Sequence, residues 1–219
     1  MGFPIDNNDL RSISQTRDNY NKISNWYDFV IGAKEIQLFK QGIKEIGPLK
    51  NGKILEIGCG TGKGLLSLNE EYGLDNSIYG LDLSDGMLKK SITKIQDKSF
   101  NSTFLIQADA FFLPFGKLTF EAIILGFTLE LFPDDEIPSI LLECKRVIKQ
   151  NGKLVIIHMA EGTTWMVNFY KSLHRSFPKI IDCKPIEIGN YLKELDFKSL
   201  SVNSENLWGL PVNIATINF

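Results

Sequence analysis

The chain has 219 residues, 43% of them hydrophobic, and a formal net charge of −2. A chain of that length and content can bury one full core, and α/β folds of this size form a single unit. Its lysines are scattered rather than gathered in a stripe, so the charge pattern lacks the footprint of a nucleic-acid binder. The three cysteines, Cys59, Cys144 and Cys183, are odd in number and form no C-x-x-C pair, which reads as reduced thiols in a cytoplasmic protein without a metal site.

In chain order, residues 1–10 have neither the basic region nor the apolar core of a signal peptide, and Asp6 stands where N-myristoylation wants Ser or Thr. No apolar stretch approaches the ~20 residues that span a bilayer. Residues 18–49 are rich in aromatic side chains, with Tyr20, Trp26, Tyr27, Phe29 and Phe39. After residue 50, strand and helix signals alternate, the pattern of a mostly parallel sheet with helices on both faces. Strands are expected near 53–58, 77–82, 103–107, 120–125 and 153–158. Helices are expected at 62–72, 85–96 and 136–149, the last introduced by Pro133-Asp134-Asp135. Asn151-Gly152 is a turn before the fifth strand. Over 163–179, Trp165, Phe169, Leu173 and Phe177 recur every four residues, an amphipathic helix signal. The tail from 197 to 219 suits two final strands, with Pro211 favouring an edge or a bulge.

The chemistry concentrates at residues 55–62, Leu-Glu-Ile-Gly-Cys-Gly-Thr-Gly, an apolar strand ending in an acid and then alternating glycines. Glycines permit a tight turn after a parallel strand and let a ligand lie almost against the main chain. A phosphate-cradling P-loop would need glycine where Ile57 stands and a hydroxyl where Gly64 stands. The dinucleotide fingerprint G-x-G-x-x-G would place its third glycine at Lys63 or Leu65. What remains, Glu56 to Gly62, suits a ligand with a cationic part and no pyrophosphate, such as S-adenosylmethionine. Asp82 ends the next apolar run 20 residues after Gly62, where an open α/β sheet places a carboxylate for ribose hydroxyls. The alternative makes Asp82 a helix cap or a solvated loop acid, a cap that Ser84-Asp85 beside it could equally supply; with Glu56 upstream, the ribose role is the expectation.

With four further segments in order, the chain resembles the class I S-adenosylmethionine-dependent methyltransferases, and within them the ubiquinone/menaquinone biosynthesis C-methyltransferase group. Those segments are Gly80-Leu81-Asp82-Leu83-Ser84, Gln107-Ala108-Asp109-Ala110 followed by Leu113-Pro114-Phe115, the stretch 120–134, and Arg146 to Leu154. The resemblance covers roughly 20–219. It implies a Rossmann-like, seven-stranded, mostly parallel sheet with an antiparallel last strand. One domain would comprise an N-terminal helical cap (1–50), a cofactor-binding core (51–160) and substrate-side helices with closing strands (161–219).

Carried onto this sequence, the resemblance assigns S-adenosylmethionine to Glu56, Gly58, Cys59, Gly60, Thr61, Gly62 and Asp82, with Tyr27 near its methionine end. Leu83 and Met87 wall the adenine, although apolar residues at that spacing are also plain core. Asp109 and Ala110 meet the adenine edge. Gly126 stands where many relatives carry Ser. No Asn/Asp-Pro-Pro-Tyr motif follows the fourth strand, which reads Leu125-Gly126-Phe127-Thr128, so nucleic acid is not the expected acceptor. The acceptor is expected to be small and lipophilic, quinone-like or lipid, met by Tyr20, Trp165 and Phe169. The stripe over 163–179 would line its pocket, touch a membrane surface or pack as core. A base is needed only if the nucleophile arrives protonated, and His158 and Glu130 are the candidates. Two other readings are a non-catalytic S-adenosylmethionine binder and a nucleotide-dependent oxidoreductase.

Overall fold

The structure, a computed structural model, describes residues 33–162, 184–195, 197 and 199–219. Seven strands form one sheet: β1 (Lys53–Ile57), β2 (Ser77–Asp82), β3 (Thr103–Gln107), β4 (Phe120–Gly126), β5 (Ile148–Met159), β6 (Leu200–Leu207) and β7 (Leu210–Asn218). Their order is β3-β2-β1-β4-β5-β7-β6. The first five strands run parallel, whereas β7 pairs antiparallel with both β5 and β6. Between β1 and β4 the connections leave toward opposite edges, and it is at such a switch point that open sheets of this kind leave a crevice beyond the strands' carboxyl ends.

Burial on both faces explains why the central strands read as continuous apolar runs rather than alternating ones. On one face, Leu55, Ile123, Leu154 and Ile156 pack with α4 (Ile137–Val147) and α5 (Ile188–Glu194). On the other, Ile54, Ile124, Val155 and Ile157 pack with α1 (Ala33–Ile46), α2 (Lys63–Tyr72) and α3 (Asp85–Asp97). Glu56 alternates with Ile54 and so points to the α1–α2 side. A Cβ at Gly42 would stand 2.7 Å from Ile157 Cδ1, so α1 approaches β5 closely through that glycine.

Three boundaries depart from the sequence reading. The fourth helix stops at Val147, and β5 starts at Ile148, where it pairs with Phe120 before the register shifts toward Ala122↔Lys153. The Asn151-Gly152 turn survives inside β5 as a bulge, with Asn151 at φ 64. Pro211 was expected at an edge or bulge; instead it lies in β7, an internal strand. It is tolerated because the register with β5 ends at Met159↔Val212, one residue away, so no β5 carbonyl lacks a donor there. The hairpin before it turns on Trp208 and Gly209, both at positive φ (50 and 90), the hand that matches strand twist.

The loop after β3 is fastened to α4 by one arginine. Arg146 donates from Nη1 to Phe115 O (2.7 Å), from Nη2 to Leu113 O (2.9 Å) and from Nε to Glu143 Oε1 (2.6 Å), while Leu113 N donates to Glu143 Oε2 (2.9 Å). The Arg146 guanidinium holds the Glu143 carboxyl below its usual range. Replacing Arg146 by Ala leaves two carbonyls and a carboxylate without their donor, and each charge-assisted bond contributes about 1.5–3 kcal/mol. The expected outcome is a loss of about 3 kcal/mol in urea unfolding at pH 7. A loss below about 0.5 kcal/mol, the range of ordinary surface changes, would show that the clamp is decorative.

Candidate cofactor site

The glycine turn is positioned by backbone bonds before any side chain acts. Gly58 N and Cys59 N both donate to Leu81 O (2.8 and 3.0 Å), and Gly60 N donates to Asp82 Oδ2 (2.8 Å). The other oxygen of Asp82 accepts from Ser84 N at 2.8 Å, and Ser84 Oγ in turn caps α3 by accepting from Met87 N at 3.1 Å. One carboxylate thus ties the ends of β1 and β2 together. Burial raises its pKa, opposed by the N–H groups of Ser84, Gly60 and Leu83. The sequence offered Asp82 a ribose role or a loop role, and the described contacts are those of the second; its remaining lone pairs stay open to the first.

The three glycines are required for different reasons. All take positive φ (72, 52 and 83 at Gly58, Gly60 and Gly62). A Cβ on Gly58 would strike Thr128, at 2.5 Å from Oγ1, and one on Gly62 would strike Ser91. Of the three, only a Cβ on Gly60 would meet no atom of the described residues within 4 Å. So Gly58 and Gly62 are crowded by the protein itself, and Gly60 is where main chain is bared to a ligand.

Beside the turn lies a cleft of about 90 Å³ whose walls include Glu56, Gly58, Cys59, Gly60, Thr61 and Gly126, six residues that the sequence selected. Glu56 is 4% exposed, and its Oε2 has no hydrogen-bond partner among the described residues. Burial, and then the Asp82 charge, pushes its carboxyl well above the usual range. The same burial, with Glu56 and Asp82 adding to it, keeps the Cys59 thiol protonated and unreactive. Thr61 Oγ1 accepts from Lys94 Nζ at 3.0 Å.

Other selected residues fall elsewhere. Met87 is buried behind the Ser84 cap while Leu83 is half-buried beside it. Asp109 makes a turn at the end of β3, its Oδ1 accepting from Phe111 N at 3.0 Å, and Ala110 joins the core on the α4 side. His158 is 0% exposed and falls in alternation with Leu154 and Ile156, on the face opposite Glu56. Its Nδ1 lies 3.1 Å from Met159 O, and burial lowers its pKa, so the ring is neutral at pH 7. Glu130, in a short 3₁₀ turn (Leu129–Leu131), accepts from Met159 N at 3.1 Å through Oε1. Neither borders the cleft. Tyr20, Tyr27, Trp165 and Phe169 lie outside the described residues.

The resemblance implied that helices of 18–49 close over the cofactor, but no residue of α1 was assigned to the site. Glu35, Ile36 and Phe39 line the cleft, with Lys63 and Phe127. Phe39 is seated on two glycines: a Cβ at Gly64 would meet its ring at 2.6 Å, and one at Gly126 at 2.8 Å. Gly126 therefore makes room for an aromatic ring where a serine was expected to touch the cofactor. The missed signal was spacing, since Glu35 and Phe39 are four apart and share a helix face.

Residues 54–152 match a family model described as a methyltransferase domain. This region is a methyltransferase domain. Around it the chain is similar to S-adenosylmethionine-dependent methyltransferases, one of them solved with S-adenosylhomocysteine. The chain is 34% identical over 148 residues to demethylmenaquinone methyltransferase from Anoxybacillus flavithermus, an alignment covering 66% of this chain and 62% of that protein. A second relative of the same name, from Lactococcus lactis, is 32% identical over 66% of this chain and 58% of its own. The chain thus spans about six-tenths of the length of these curated relatives. Among solved structures, magnesium protoporphyrin IX methyltransferase from Synechocystis, with bound S-adenosylhomocysteine, has a TM-score of 0.72 at 17% identity, over 94% of this chain and 98% of that one. A putative S-adenosyl-L-methionine-dependent methyltransferase from Methanococcus maripaludis has a TM-score of 0.63 at 20% identity, over 99% and 96%. At those identities the likeness establishes the fold.

The residues of the methyltransferase domain fit such a ligand. A buried acid with an unpartnered oxygen suits a positive group, and the open space over Gly60 admits a ligand to the main chain. No helix among the described residues is long and apolar enough to cross a membrane.

Proposed function

We propose that this chain transfers the methyl group of S-adenosylmethionine to a small, lipophilic, quinone-like acceptor. The observation that carries the cofactor half is the unpartnered Glu56 oxygen facing a glycine-walled cleft at the sheet's switch point. The acceptor half is supported by the names of the relatives, demethylmenaquinone methyltransferases. The sulfonium supplies an already activated methyl group, so what the protein adds is placement. Holding nucleophile, methyl carbon and sulfur in line supplies at most roughly 7–11 kcal/mol of the barrier. In this reading Glu56 and the glycine turn fix the cationic end, Asp82 offers its free lone pairs to the ribose, and Asp109 marks the adenine side.

The test is labelled-methyl transfer into demethylmenaquinol dispersed in detergent, beside phosphoethanolamine as a small polar acceptor. Preference for the quinol is expected, and preference for the polar compound would discard the lipophilic reading. Because His158 and Glu130 are buried away from the cleft, His158→Asn is expected to leave both limbs of the pH–rate profile in place. Disappearance of the limb near neutrality would restore His158 as a base.

A further inference from the structure

We propose that Glu35 on α1 is a second cation-recognition group, which with Glu56 faces the sulfonium of the cofactor and makes the cleft prefer S-adenosylmethionine over its uncharged-sulfur product. This rests on reading the cleft as the S-adenosylmethionine site. The two carboxylates reach one cleft from different elements, Glu56 from the end of β1 and Glu35 from α1. Their juxtaposition is fixed rather than incidental, because the ring of Phe39, four residues beyond Glu35, is seated on Gly64 and Gly126 and sets the register of α1. Glu56 brings an independent observation, an oxygen with no hydrogen-bond partner among the described residues on a side chain 4% exposed. With Lys63 as the one lysine among the described lining residues, two ionised carboxylates leave the cleft with a surplus of negative charge that suits an arriving cation.

Among the described residues, few charges surround Glu35. From α2 it is faced by Lys63, and from β1 by Glu56, which is itself faced by Asp82 from β2. β4 contributes Gly126 and the chain beyond it Phe127, while β7 offers Val212 and Ile214 to the shared core. β5 and β6 bond α1 at its other end, where Lys153 Nζ donates to Glu45 O (2.9 Å) and Asn203 Nδ2 to Glu45 Oε1 (2.8 Å). Burial raises the Glu35 carboxyl to about 7, against the lowering pull of Lys63. Glu35 is therefore protonated on the acid side of neutrality, and a cation entering the cleft favours its ionised form. Binding then releases a proton, and affinity for a cationic ligand climbs as pH rises through about 7, with Glu56, held well above its usual range, adding to the rise at higher pH. S-adenosylhomocysteine lacks the sulfonium charge and gains less.

Titration calorimetry on the full chain with S-adenosylmethionine and S-adenosylhomocysteine at pH 6, 7 and 8, in buffers of different ionisation enthalpy, reads both affinity and proton release. The parent is expected to bind S-adenosylmethionine about tenfold more tightly at pH 8 than at pH 6, with less than about a threefold change for the product. Glu35→Gln should flatten that rise and bind S-adenosylmethionine about tenfold more weakly at pH 8, whereas Glu35→Asp should keep the rise. A parent with no difference between the two ligands, or a Glu35→Gln protein that keeps the rise, overturns the inference while leaving the cofactor site standing. A parent that binds neither ligand overturns the site itself.

Discussion

Replacing Glu56 by Gln is expected to make the protein more stable and to disable its cofactor site. The carboxyl of Glu56 is pushed upward by burial and by Asp82, so the folded state resists its ionisation. An acid with a raised folded-state pKa contributes stability fully present below its unfolded value, near 4.3, and loses it as pH rises toward the folded value. At pH 8 the parent therefore carries a cost that a neutral amide avoids, and the gain on substitution is about 1–3 kcal/mol. Urea unfolding at pH 5 and pH 8 checks the sign: the gap between Glu56→Gln and parent should widen with pH. Binding moves the other way. A buried carboxylate meeting a cation contributes about 1.5–3 kcal/mol, so S-adenosylmethionine should bind roughly ten- to a hundredfold more weakly. A variant that is both less stable and unchanged in affinity would mean that Glu56 is scaffold.

Gly58→Ala should damage fold and site together. The residue sits at φ 72, where a Cβ costs about 1–2 kcal/mol for an L-residue. The new methyl would also lie 2.5 Å from Thr128 Oγ1 and 2.6 Å from its Cγ2. Thr128 cannot swing aside freely, because its hydroxyl donates to Ile57 O (3.2 Å) and Gly126 O (3.1 Å), bridging the ends of β1 and β4. Overpacking of that kind adds about 1–3 kcal/mol, giving a total near 3 kcal/mol. The expected readings are a matching fall in urea stability and loss of measurable S-adenosylmethionine binding. The paired change Gly58→Ala/Thr128→Ser should recover part of the stability by removing Cγ2, and absence of any recovery would place the strain in the backbone alone.

How much of this was legible in the residues follows from which forces are local. β2 and β3 fall at the expected 77–82 and 103–107, because short apolar runs between turn signals leave a buried strand little choice. The glycine turn was equally plain, since positive φ and close approach both narrow the choice of residue to glycine. What was hidden is tertiary. Nothing near Gly58 announces that Thr128, some 70 residues on, will fill the space a Cβ would need. Gly126 was read against relatives as a lost polar contact, yet it is shaped by Phe39, which belongs to a helix before the first strand. Glu35 went unseen for the same reason, because its importance comes from burial beside Lys63 rather than from any motif. Pro211 was misjudged since its tolerance depends on where the neighbouring register happens to end.

The single ring of Phe39 touches backbone on two independent segments, the first turn of α2 at Gly64 and the last residue of β4 at Gly126. Docking of α1 is thereby a gauge of whether both segments have their proper shape, and any distortion of the turn must loosen the helix. Amide exchange across residues 33–46 would thus follow events at the turn from a distance, reporting cofactor arrival without a label anywhere near it.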